Sequence, residues 1–161
     1  MKRSIAALVA ALCAGAMNAG LSDAGAAPSI RRAAAGALSC DVAAGIALIV
    51  AERKPMTCLF IPLQPGPQEV YVGTVSKFSF AGETSAGGQM VWHVQAPTPR
   101  RFGALTGTYA SGRAAIGGEA ERSVLIGGSD RGIALQPVAN QSQTDVNFAS
   151  GVAALELRPA R

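Results

Sequence analysis

The chain has 161 residues, enough for one domain with a sizeable core, and a formal net charge of +4. Its basic residues stand singly or in pairs (Arg31 with Arg32, Arg53 with Lys54, Arg100 with Arg101), which is too mild a balance for a nucleic-acid-binding protein. One histidine excludes a multi-histidine metal centre, and no segment beyond the N-terminal one is apolar enough for a transmembrane helix.

Met1 to Ala27 reads as a secretory signal. Lys2 and Arg3 form a basic start, Ile5 to Met17 is apolar and alanine-rich, and Gly25, Ala26 and Ala27 before Pro28 supply the small residues of a cleavage site. The apolar run is shorter than the roughly 20 residues a permanent span needs, and Cys13 leaves with the signal. The expected location is therefore periplasmic or secreted. Removing residues 1–27 from 161 leaves 134, with 12 of the 14 basic and 9 of the 10 acidic residues, since Lys2, Arg3 and Asp23 go.

Residues 28–35 read as a short flexible leader, and 36–158 as a single β domain. Cys40 and Cys58 lie in short β-prone segments, Leu38 to Val42 and Met56 to Ile61, with the apolar run Gly45 to Ala51 between them. In an oxidising compartment two thiols separated by a short loop favour a disulfide over a metal site, because Zn²⁺ takes four ligands. Bridged Cα atoms lie within roughly 7 Å, whereas strands two apart in a sheet are about 9.5 Å apart. The two cysteine strands therefore pair directly, or the bond crosses between sheets or at a barrel corner.

The rest of the chain is short apolar segments punctuated by Gly and Pro, with no long helical period. Pro62 to Pro67 is a rigid loop. Glu69 to Phe80 is the longest strand candidate, with Val70, Val72, Phe78 and Phe80 expected on its buried face and Tyr71 and Lys77 on the other. After the turn Gly82 to Gly88, residues Gln89 to Gln95 alternate cleanly, which makes Trp92 a core anchor and His93 a surface residue. A second proline loop, Pro97 to Pro99, follows. Gly103-Ala-Leu-Thr-Gly107 echoes Gly36-Ala-Leu-Ser-Cys40 at an offset of 67 residues, suggesting two similar β units. Strands are then expected at Ser123 to Ile126, Arg131 to Val138, Val146 to Phe148 and Val152 to Leu157. The fold expected is all-β: a single small antiparallel β-barrel or β-sandwich of about nine or ten short strands with one disulfide.

The set GALSCDV, KPMTCLF, YVGTVSKF, MVWHVQAP, GALTGTY, VLIGGSDRGIALQPV and GVAALEL resembles domain-of-unknown-function family 992, small exported proteins of Gram-negative bacteria. The resemblance covers Gly36 to Leu157, and GGSDRGIALQP is its most specific part. It implies a periplasmic or secreted single-domain protein and brings no catalytic residues with it.

Chemical motifs are sparse. Gly127-Gly-Ser-Asp-Arg131 begins like a nucleophile elbow and ends in Arg, and no phosphate-cradling glycine pattern precedes a helix. Glu119 and Glu121 sit at strand spacing but read as solvated acids rather than a Ca²⁺ site. Asp130 and Arg131 are the candidate ligand-binding pair. The Asp serves an Asx turn and the Arg presents a planar fork to carboxylate or phosphate, a role that needs an adjoining cavity. No catalytic residue, metal site or cofactor is expected. The function expected is a non-catalytic, envelope-associated binding or structural module that takes an apolar or amphipathic ligand or another envelope protein. The alternative is a hydrolase using His93 with an acid such as Asp130 or Asp145, and a purely structural module would need no pocket.

Overall fold

In the structure, a computed structural model, residues 30–42, 53–76, 88–116, 122–138 and 148–161 are described. They form eight strands: β1 (Ala33–Val42), β2 (Arg53–Pro62), β3 (Glu69–Ser76), β4 (Gly88–Ala96), β5 (Gly107–Ala114), β6 (Arg122–Gly127), β7 (Ile133–Pro137) and β8 (Ala154–Pro159). All pairings are antiparallel, and the order β1-β2-β3-β8-β5-β6-β7-β4 closes on itself as a barrel. Closure settles the choice between barrel and sandwich and leaves no unpaired sheet edge among the described strands.

Inward positions alternate along each strand, as the period of a β-strand requires. Leu38 and Cys40 of β1, Met56, Cys58 and Phe60 of β2, Met90, Trp92 and Val94 of β4, Tyr109 of β5, Leu135 of β7, and Leu155 and Leu157 of β8 meet in one buried core with Leu105. An eight-stranded barrel has an interior just wide enough for side chains to fill, and here the aromatics Trp92, Tyr71, Tyr109 and Phe60 occupy it. Burying such rings contributes roughly 1.5–3 kcal/mol each relative to exposure.

The disulfide joins Cys40 to Cys58, directly opposite each other in the β1–β2 ladder with Cα atoms 4.0 Å apart. Direct pairing is thus the solution adopted from those the geometry allowed. Trp92 is fully buried and His93 exposed, as the alternation of β4 requires.

Four expectations change. On β3 the buried face is the one opposite to that expected: Glu69, Tyr71 and Val75 point inward, while Val70 and Val72 are 48% and 42% exposed. The inward parity buries the Tyr71 ring together with Val75, and the tyrosine hydroxyl finds a carboxylate partner that lets it stay inside. Strand β1 begins at Ala33, five residues before the Leu38 to Val42 segment expected, because Ala33 and Ala34 pair with Ala96 and Gln95 of β4. Phe148 opens a short 3-10 turn, Phe148–Gly151, instead of ending a strand. The two echoed segments differ in structure, Gly36 to Ser39 lying within β1 and residues 103–106 forming the turn that enters β5. The signal region, the run Gly45 to Ala51, Lys77, Phe78, Phe80, Glu119, Glu121, Asp145 and most of the Gly82 to Gly88 turn lie outside the described residues.

Candidate functional site

Antiparallel order sends the three connections described throughout to one rim of the barrel. The loops 63–68, 97–106 and 128–132, the arm 30–32 and residues 160–161 all meet there.

Glu69, the first residue of β3, has the inward parity and is only 2% exposed. A buried carboxylate is costly unless partnered. Its Oε1 forms an ion pair with Nη2 of Arg100 at 2.5 Å, and its Oε2 accepts from the Tyr71 hydroxyl and, at 2.9 Å, from the Gly103 backbone N–H. Burial alone would raise the Glu69 pKa; hydrogen bonds from Arg100, Tyr71 and Gly103, with the arginine's charge, outweigh it and hold the carboxyl below its ordinary range. Tyr71 moves the other way: burial and the neighbouring carboxylate push its pKa above that of a free phenol. Tyr109 is also raised, first by burial and then by Tyr71, and its hydroxyl donates to the Leu105 carbonyl at 2.8 Å. A carboxylate so held is a weak base, so the cluster organises the rim more readily than it moves protons.

The Arg100 guanidinium lies over the Phe60 ring, 4.4 Å from its centroid, and donates from Nη1 to the Arg101 carbonyl at 3.1 Å. One side chain thereby ties the loop after β4 to the first residue of β3 and the last turn of the core. Further backbone bonds knit the same rim: Leu63 N–H to the Ala35 carbonyl, Ser129 N–H to the Ala104 carbonyl and Ala160 N–H to the Val70 carbonyl.

Three clefts open around this cluster. One of about 410 Å³ runs between Ala33 to Ala35, the prolines 62, 65, 67, 97 and 99, Glu69, Arg100 and Phe102. A second, about 740 Å³, is bounded by Ile30, Arg100, Arg101, Ser129, Asp130 and Ile133. A third, about 430 Å³, lies between Tyr71, Phe102, Gly103 and residues 159–161. The prolines give the first cleft stiff apolar walls.

Asp130 and Arg131 sit on this rim in the 3-10 turn Ser129–Arg131, both exposed and both at φ 54°. Asp visits that conformation readily; Arg does so seldom, so the turn is over-determined by its surroundings. Arg32 supplies the hold, donating from Nε to the Gly132 carbonyl at 2.9 Å and from Nη2 to the Arg131 carbonyl at 3.1 Å. Asp130 faces the second cleft together with Arg100 and Arg101, while Arg131 does not line it. His93 stands on the outer wall within β4, opposite Ala37 and Gln136, away from the rim. Among the described residues no group of three or more His, Cys, Asp or Glu is placed to hold a metal ion.

Sequence reasoning missed Glu69, Tyr71 and Arg100. Arg100 reads in sequence as half of a solvated basic pair, and Glu69 as the edge of a strand. The available signal is the i, i+2 spacing of Glu69 and Tyr71, which puts a carboxylate and a phenol on one strand face.

A family model described as "Protein of unknown function (DUF992)" matches residues 19–158. The chain belongs to that family. The match spans the DUF992 barrel up to Arg158, short only of the last residue of β8, and every rim residue above except Pro159 to Arg161. No curated protein and no solved structure matches the chain.

Proposed function

We propose that this DUF992 protein is exported to the periplasm or secreted, and acts there as a non-catalytic, envelope-associated binding module that takes its ligand on the rim around Arg100. The observation that carries this reading is the contrast between a barrel interior filled by aromatic and aliphatic side chains and three clefts gathered on one rim. Among the described residues the inward side chains pack against one another, while the rim offers a ligand stiff apolar walls and guanidinium groups. The fitting ligand is amphipathic, its apolar part against the proline and alanine walls and its anionic part toward Arg101. The single carboxylate in the cluster is ionised and engaged by three donors, which disfavours general acid–base work at neutral pH.

Native mass spectrometry of the protein purified from its own periplasm tests this. An adduct with the mass of an amphipathic anion, reduced in Arg101→Gln, is the expected result; only the bare chain, in repeated preparations, would refute it. Esterase, peptidase, phosphatase and glycosidase screens should stay at background, and a signal lost in a stable His93→Ala protein would overturn the non-catalytic part.

A further inference from the structure

The rim carries more than clefts. Phe102 is 72% exposed, Leu63 66% and Ile30 46%, three of the most exposed large apolar side chains among the described residues. All three stand on loops or the arm of the same rim. Around them are Arg31, Arg101, Arg131 and Arg161, all exposed, with Arg32 and Arg100 part-buried behind. The rim thus holds six arginines against two acids, Glu69 and Asp130. Among the described residues the rim therefore carries a local excess of positive charge, and four of its arginines are exposed on it.

From this juxtaposition we infer that the rim docks as a unit on the surface of an anionic lipid bilayer. The inference rests on the rim being the binding face and names its partner. Phe102 and Leu63 enter the boundary between headgroups and acyl chains, and the arginines reach the lipid phosphates, for which the guanidinium fork is suited. Arginine stems can lie along the apolar layer while their heads stay at the phosphates. Charge complementarity selects this partner over a neutral apolar one. The rim is also fixed in advance by Arg32, Glu69 and the loop prolines, so that docking orders few side chains.

The test uses the mature chain with vesicles of phosphatidylcholine containing phosphatidylglycerol, and with pure phosphatidylcholine vesicles. Co-sedimentation with the anionic vesicles only, reversed by high salt, is expected. Arg101→Gln and Arg131→Gln should each weaken partitioning about fivefold, whereas Arg53→Gln, the same charge change at the far end of β2, should leave it unchanged. A Phe102→Trp reporter should shift its emission to the blue on anionic vesicles, read as a difference from the parent, whose Trp92 is buried. Absence of sedimentation, equal binding to both vesicles, or equal loss in Arg53→Gln would overturn the docking. Titration with monomeric short-chain phosphatidylglycerol separates the two readings. Binding of that lipid without vesicle docking rejects this inference and keeps the cleft, and failure of both removes both.

Discussion

Replacing Arg100 by methionine tests the reasoning about the rim most directly. The substitution keeps an apolar stem and removes the charge that answers Glu69, which is 2% exposed against 17% for the Arg100 side chain. Removing one partner of a buried pair typically costs about 3–5 kcal/mol, because the other charge stays buried and uncompensated. Here Tyr71 and Gly103 still donate to the carboxylate and Arg100 retains some contact with water, so the low end applies, about 3 kcal/mol at pH 7. The lost stacking on Phe60 is part of that figure. Urea unfolding followed by Trp92 emission, with the disulfide intact in both proteins, measures it.

The pH dependence gives the sign. In the parent the folded Glu69 carboxyl titrates below its unfolded value of about 4.3, so its stabilisation is present above that pH and is lost as pH falls through the folded value. In Arg100→Met burial gains weight and the carboxyl moves upward, so that the variant sheds its penalty by protonation as the medium is acidified. The gap between the two proteins should therefore narrow from pH 7 toward pH ~4. A loss below about 1 kcal/mol, or a gap of constant size across that range, would show that Glu69 is not held as described.

Other outcomes follow from the same geometry. The chain from residue 28 onward, purified without reductant, should show no alkylatable thiol, and Cys40→Ser with Cys58→Ser should lose about 3 kcal/mol through the freed loop; two reactive thiols in the parent would contradict the cross-strand pairing. Trp92→Ala should cost about 3–5 kcal/mol and His93→Ala no more than about 0.5, both by chemical denaturation, and comparable losses would place the two side chains on one face. Gly73→Ala should destabilise by about 1–3 kcal/mol, since a Cβ there meets the Glu156 carbonyl across the β3–β8 ladder; an unchanged midpoint would mean that β8 does not pack so closely.

Period-two patterning was clearest in β4, where Met90, Trp92 and Val94 share one parity and Gln89, His93 and Gln95 the other, and it placed Trp92 and His93 on opposite faces from sequence alone. The same rule inverted β3, where both parities carry β-branched or aromatic residues and only tertiary contacts decide. Tyr71 goes inward because Glu69 waits beside it, and Glu69 tolerates burial because Arg100, far along the chain, closes over it. No local window contains that triad. Asp130 and Arg131 were visible as a turn, but their neighbour Arg32 lies some hundred residues away in sequence. The family resemblance was legible throughout, because it rests on strings of residues rather than on contacts.

Arg100 and Arg101 stand next to each other and separate two roles that sequence cannot distinguish. Arg100 is turned under the rim, bound to a buried acid and stacked on a core ring, so its loss is read first as stability. Arg101 is exposed on the same loop and lines the largest of the three clefts, so its loss should be read as binding with the denaturation midpoint unchanged. The disulfide enters the same logic, because Cys58 lies two residues before Phe60 on β2 and bonds to β1, the strand that also pairs with β4, from which Arg100 descends. A staple there holds the ring beneath the guanidinium in register with the loop above it. Binding measured on Arg101→Gln and stability measured on Arg100→Met should therefore vary independently. Loss of both properties together in Arg101→Gln would mean that the rim is a structural cap and not a face that meets a ligand.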